Sequence, residues 1–226
     1  MHLSQLEFSP GAIFRLGGKG TKNNIIAAPV VYQNKLYIGV GQDPEHDTGI
    51  GHLWCINLIR ATNPGPGNHN RDVSPVNNNF NRKAKVNLRS ALHWHFGGRV
   101  KKGEKNWTQR AYHFGRTIST CAIKDGLLYA VDFAGFVFCM EGETGKVQWF
   151  HDAEAATWSS PFLVDINVFL VNEDGLIRVF QHGKKKKLIR EIDTWADKVR
   201  APMASANGRL YLMTEYPTKL WAIQKK

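Results

Sequence analysis

The chain has 226 residues, 42% of them apolar and 22% charged, which is enough to build and solvate a packed core and excludes disorder and fibre formation. Thirty Lys and Arg stand against nineteen Asp and Glu, a formal charge of +11 that favours anionic partners by long-range attraction without naming one. No eighteen apolar residues run together, residues 1–5 lack the charged and apolar regions of a secretory signal, and Cys55, Cys121 and Cys139 lie far apart with no CxxC; no transmembrane segment, zinc knuckle or dense disulfide framework is expected.

Along the chain, residues 1–24 form an N-terminal segment in which Gly11-Ala12-Ile13-Phe14-Arg15-Leu16 is the one strand candidate. Residues 27–38 then read as an apolar strand, a turn and a second strand, and 53–57 as a third. Residues 59–91, with Asn63-Pro64-Gly65-Pro66-Gly67-Asn68 and Asn77-Asn78-Asn79, have loop composition and read as an insertion before a fourth strand, Leu92-His93-Trp94-His95-Phe96. A second loop covers 97–113. The three-strand pattern recurs from Ser119, from Ser159 and from Arg200, with third strands at 137–141, 177–181 and 220–224. Fourth strands stand at 146–150 and 188–192, and the last unit stops after its third.

The anchors Tyr129, Phe169 and Tyr211 are 40 and 42 residues apart, the size of a four-stranded antiparallel blade. Asp125-Gly126, Asp174-Gly175 and Asn207-Gly208 supply turns between strands. The middle residue of strand three is Cys55, Cys139, Val179 and Ala222 in turn, so the two cysteines are expected inside as small hydrophobes. By the same register Trp94 and Trp149 are expected to be buried and Trp221 largely so. No segment shows sustained helical periodicity. The expected fold is an all-β propeller of about four four-stranded antiparallel blades in an incomplete ring, spanning 25–226.

These units resemble the PQQ-like (pyrroloquinoline quinone-binding-like) β-propeller repeat, whose blades run approximately Ser-Pro-Val-Val, Asp-Gly, Val-Tyr-Val-Gly, Leu-Tyr-Ala-Leu-Asp, Thr-Gly, Leu-Trp; residues 119–150 match best. Val40-Gly41-Gln42-Asp43-Pro44-Glu45-His46 with Gly51-His52-Leu53-Trp54-Cys55 looks like a bacterial branch of that family without an assigned role. The resemblance implies seven or eight blades, which favours the carboxy-terminal half of a larger propeller over a four-bladed miniature. It also implies that a strand from the N-terminus completes the last blade; residues 11–16 either fill that place or are the remnant of an earlier blade. Full-length relatives are often exported or periplasmic, and no signal peptide is seen here, so the compartment stays open. Quinoprotein members hold the quinone between a Trp and a vicinal Cys-Cys disulfide beside a calcium ion. No two cysteines here are adjacent, so no bound PQQ and no other cofactor is expected.

Two sets of residues carry candidate chemistry. Asp43, Glu45, His46, Asp47 and His52 combine carboxylates and imidazoles that suit a divalent ion, or form a solvated hairpin tip. Asn24, Arg116, Trp158 and Arg200 each precede a first strand; if that strand is innermost, as the resemblance implies, they ring the channel mouth, where forked donors and an indole suit a carboxylate or phosphate. Their plainer role is hydrogen bonding between blades. Lys184-Lys185-Lys186-Lys187 reads as a solvated turn that touches at most anionic surfaces, and with no recognition helix or RNA-binding motif no nucleic acid is expected. Ser119, Ser159 and Ser160 have no G-x-S-x-G setting. The expected function is a non-catalytic scaffold binding a protein or small anionic ligand on the propeller face; the alternative is a quinoprotein-like oxidoreductase or metal-dependent enzyme.

Overall fold

The computed structural model describes residues 25–41, 48–62 and 90–224. Its elements are β1 (Val30–Tyr32), β2 (Lys35–Val40), β3 (His52–Asn57), α1 (Leu58–Thr62), β4 (Leu92–Gly97), β5 (Ala122–Lys124), β6 (Leu127–Val131), β7 (Phe136–Glu141), β8 (Val147–Asp152), β9 (Phe162–Val164), β10 (Asn167–Val171), β11 (Leu176–Gln181), β12 (Leu188–Asp193), β13 (Ala204–Ala206), β14 (Arg209–Glu215) and β15 (Thr218–Ile223). Consecutive strands pair antiparallel in three sheets of four strands and a last sheet of three, β13-β14-β15. Among the described residues the sheets do not close a ring, and the architecture is a partial propeller. The only helix among the described residues, α1, is barely more than one turn long and lies where the chain leaves the first sheet, before returning as β4.

The repeat in the sequence becomes a repeat in register. Tyr37 faces Cys55, which faces Trp94; Tyr129 faces Cys139, which faces Trp149; Phe169 faces Val179, which faces Arg190; Tyr211 faces Ala222. A bulge follows the middle residue in each complete sheet, at Cys55/Ile56, Cys139/Met140 and Val179/Phe180. Because side chains alternate across a strand, these residues share the face turned toward the next blade.

That face makes the core. Tyr37, Leu53 and Cys55 pack with Phe114, Leu128, Phe138 and Met140 of the second blade. Tyr129, Cys139 and Trp149 pack with Val168, Leu170 and Phe180 of the third, and Val171, Ile177 and Val179 with Met203 and Leu212 of the fourth. Cys55 and Cys139 are fully buried, as the register requires, and Cys121 is buried and free as well.

The tryptophans fall short of expectation in one of three places. Trp149 is buried and Trp221 largely so, whereas Trp94 is only partly buried. Trp94 lies at the sheet rim across Gly145, whose φ of +71° and lack of a Cβ both matter: a Cβ there would come within 2.7 Å of the indole. Trp221 sits on β15, which among the described residues has a strand on one side only.

Candidate functional site

Three of the four predicted channel-mouth residues are described, and the structure sets them in series at one end of the sheets. The turn after strand two of each blade reaches the residue before strand one of its neighbour. Phe133, just past β6, donates its amide to the Arg116 carbonyl (2.7 Å) and accepts from the Thr157 amide (3.0 Å). Glu173, just past β10, donates its amide to Ala156 (2.7 Å) and accepts from Val199 (2.9 Å). Phe133 meets the Trp158 indole edge-on at 5.0 Å, and the Arg200 guanidinium lies 4.5 Å over the same indole, a cation–π contact. Around Arg200 stand two carboxylates, Glu215 at 3.6 Å and Glu173 at 4.0 Å. Arg116 is placed differently: its amide donates to Gly49 (2.9 Å) and its guanidinium packs against the Gly49 backbone. Asn24 lies outside the described residues.

Two features of this end were not singled out in the sequence. Trp195 is 87% exposed and holds φ +53°, a left-handed conformation in which a bulky residue is an outlier. Its counterpart one blade earlier is Glu154, φ +63°: in both turns the amide is accepted by the aspartate two residues before, Asp193 or Asp152, at 2.8 Å. Glu154 reaches Arg178 (3.1 Å), while Trp195 points into solvent. Tyr216, 71% exposed, is tied to Asp197 by a pair of backbone hydrogen bonds and so lies near Trp195. The second feature is a buried ion pair. Asp132, at the Asn172 position of the next blade, accepts from Arg110 (2.6 Å) and from the Gly115 and Phe136 amides. Burial pushes its carboxyl up, and the Arg110 guanidinium and the two amides pull it back. Arg110 is also stacked on Tyr112 and Phe136 and pins the 97–113 loop to this end.

Of the predicted metal set, Asp43, Glu45, His46 and Asp47 lie outside the described residues. His52 is fully buried on β3; its Nδ1 shares a hydrogen bond with His95 Nε2 at 2.9 Å, and the two rings stack at 5.1 Å against Trp54. Burial depresses both imidazoles, His52 to about 4 and His95 to about 3, so the pair is neutral near pH 7. Among the described residues no group of three or more His, Cys, Asp or Glu is placed to hold a metal ion. Ser119 and Ser159 donate to the Ser159 and Val171 carbonyls, which makes them ties between and within blades.

At the other end of the sheets, a cavity of about 230 Å³ lies between turns and is lined by Tyr32, Tyr37, Asp125, Glu141, Glu143 and Lys184. Its glutamates are already engaged, Glu141 by Lys184 and Thr144, and Glu143 by Lys35 and His93. Lys184 is therefore paired, and Lys185, Lys186 and Lys187 are exposed. No helix among the described residues is long and apolar enough to cross a membrane.

This architecture is that of the β-propellers. BamB from Moraxella catarrhalis is similar over 90% of this chain and 45% of its own, with a TM-score of 0.55 at 12% identity. The computationally designed Ika8 protein is similar over 88% of this chain and 46% of its own (TM-score 0.50, 15% identity). The designed Ika4 protein is similar over 99% of both chains (TM-score 0.53, 13% identity). The chain thus spans about half the length of BamB and Ika8, and at these identities the likeness concerns the fold alone, that of a β-propeller. No family model matches the chain, and no curated protein matches it.

Proposed function

We propose that the chain is a non-catalytic binding scaffold and that it receives a protein partner at the end of the sheets carrying Arg200, Trp158 and Trp195. The observation behind this reading is the Arg200 guanidinium, stacked on Trp158 with its side chain 44% exposed. Its carboxylate neighbours at 3.6 and 4.0 Å lie beyond direct hydrogen-bond distance. The fork of donors is thus held flat, and an incoming carboxylate can take hydrogen bonds that Glu173 and Glu215, ion-paired at longer range, do not make. Trp195 and Tyr216 add rigid apolar area beside it, and Trp, Tyr and Arg are the residue types that dominate interface energetics. The partner is a protein segment with exposed carboxylates, which the formal charge of +11 draws in at low salt.

The reading is tested by titrating an Asp/Glu-rich peptide into the protein and following tryptophan fluorescence. Arg200→Ala is expected to weaken binding by about 1–3 kcal/mol, the range for a hydrogen bond to a charged group. Trp195→Ala is expected to weaken it without changing the melting temperature, since the indole is solvated. Affinity unchanged in both variants would refute the reading.

A further inference from the structure

The first two junctions between blades differ at one residue that faces the cavity of about 230 Å³. At the second junction His182 of the third blade reaches back into the second. Its Nδ1 shares a hydrogen bond with the Tyr129 hydroxyl (2.8 Å), and its Nε2 lies 3.4 Å from the Asp125 carboxylate. At the first junction the same place belongs to Gly142. The backbone fixes the equivalence: Gly142 and His182 each donate an amide at 2.8 Å to the second turn residue between strands one and two of their own blade, Gly126 and Ile166. The receiving residues correspond as well. Tyr37 faces Cys55 as Tyr129 faces Cys139. Gln33 stands where Asp125 stands, because Tyr32–Lys35 and Lys124–Leu127 close the two hairpins in the same register, with left-handed φ of +46° and +48° at the two turn residues. The first junction thus has the receiver for an imidazole and no imidazole of its own.

What it has instead is space. Gly142, Tyr37 and Gln33 all line the cavity, whose volume corresponds to roughly seven waters at about 30 Å³ each. The Tyr37 hydroxyl turns to the Gly142 carbonyl at 3.2 Å, longer than an ordinary O–H···O bond. Glu143 and Lys184 in the cavity wall are 61% and 63% exposed, so entry needs no separation of the blades. We propose that this cavity binds an imidazole ring, one nitrogen against the Tyr37 hydroxyl and the other against the Gln33 amide, as His182 lies between Tyr129 and Asp125. A glutamine in the aspartate place accepts from the ring without adding a charge, so the neutral ring fits. The ring belongs to a small free imidazole or to the histidine side chain of a peptide; both offer the same atoms, and the remaining volume takes the ring's substituent. Bound, it ties the β1–β2 hairpin to the β7–β8 turn, the tie that His182 makes one blade further on. The site lies at the opposite end of the sheets from Arg200 and does not rest on the reading of that residue.

Imidazole is titrated into the full chain and followed by calorimetry, with N-acetylhistidine amide and furan in parallel arms. The expected result is saturable binding of one imidazole per chain in the millimolar range, as a ligand this small allows. Furan, a ring of the same size with no nitrogen, is expected to bind about tenfold more weakly or not at all. Gly142→His supplies the ring covalently and is expected to abolish binding. Gly142 has no left-handed φ, and a Cβ there would meet its neighbours at 3.1 to 3.2 Å, a contact relieved by a small shift. Tyr37→Phe, which keeps the buried ring, is expected to weaken imidazole binding about threefold to tenfold. Tighter binding of the blocked histidine assigns the site to a peptide side chain and tighter binding of the free ring to a small molecule; either result upholds imidazole recognition. The proposal is overturned by the absence of saturable binding, by furan binding as tightly as imidazole, or by affinity unchanged in Tyr37→Phe. A folded Gly142→His variant that still binds one ring overturns it as well.

Discussion

The junctions between the first three blades and the junction to the fourth are built from the same repeat and held differently. At the first junction Trp94 Nε1 and the Tyr37 hydroxyl both donate to the Gly142 carbonyl, at 2.8 and 3.2 Å. At the second, Trp149 Nε1 donates to Gly183 O (3.0 Å), and the Tyr129 oxygen accepts from the Gly183 amide (3.1 Å) while sharing a hydrogen bond with His182 (2.8 Å). In both, the small Cys between the two rings leaves room for them to reach the same turn of the next blade. At the third junction Phe169 has no hydroxyl, Arg190 stands exposed in the Trp place, and β15 is followed by no turn and fourth strand among the described residues. Apolar packing of Val179, Met203 and Leu212 remains. A propeller blade is thus docked by a buried apolar face, by backbone ties at one end and by a side-chain latch at the other, and of these only the latch is absent from the third junction.

The largest expected effect lies on the latch tryptophan. Trp149→Ala removes a buried ring and its hydrogen bond, and is expected to cost about 3–5 kcal/mol in urea unfolding. Trp221→Ala, at a largely but not fully buried site on an open sheet, is expected to cost roughly half as much. Equal losses in the two variants would erase the distinction between the junctions. A loss below about 1 kcal/mol at Trp149 would contradict the blade register itself.

Much of this register was legible beforehand because a strand repeats every two residues and a blade every forty or so; Tyr129, Cys139 and Trp149 mark one face whatever lies across from it. The order of strands and the missing fourth strand of the last unit followed from the same pattern. The site was legible only in part. Arg116, Trp158 and Arg200 could be placed before equivalent strands. That Arg200 stacks on Trp158, while Arg116 lies against Gly49, depends on turns from other blades, which no local pattern specifies. The Arg110–Asp132 pair joins a loop to a blade 22 residues on, and only the exchange of Asn172 for Asp132 at one repeat position hinted at it. Trp195 had a signal that went unread: it stands where the preceding blade has the solvated Glu154. The fold was periodic and therefore readable, whereas the contacts of the site arise between periods.

Acid should narrow the gap between the two regions by loosening the well-packed one. His52 and His95 have folded pKa values of about 4 and about 3, below the ordinary value near 6.5, because burial disfavours their charged forms; His95 is lowered further by His52 and His113. The unfolded chain therefore binds more protons over this range, and stability falls as pH drops from about 6.5 toward 4. The pair shares one hydrogen bond and titrates as a unit, so the expected loss is on the order of 2–3 kcal/mol between pH 7 and pH 4. His95→Gln should flatten that slope. The exposed carboxylates Glu104, Glu141 and Glu143 are depressed by their partners and lose their contribution only as pH falls below their ordinary range. A slope unchanged by His95→Gln would assign the acid sensitivity to those carboxylates instead.

The smallest expected effect is the sharpest test of the latch as a device apart from burial. Tyr129→Phe keeps the ring and its area and deletes one oxygen, leaving the half-buried Gly183 amide and His182 Nδ1 without their partner. The expected loss is about 1–2 kcal/mol, the range for stranding a buried polar group. The reciprocal change, Phe169→Tyr, offers the third junction a hydroxyl with no turn after β15 among the described residues to receive it, and is expected to alter stability by less than about 0.5 kcal/mol. The asymmetry of the pair carries the argument, because both variants exchange the same atom at the same repeat position. If Phe169→Tyr stabilised the protein as much as Tyr129→Phe destabilised it, the hydroxyl would be acting through its own blade, and the latch would have to be given up.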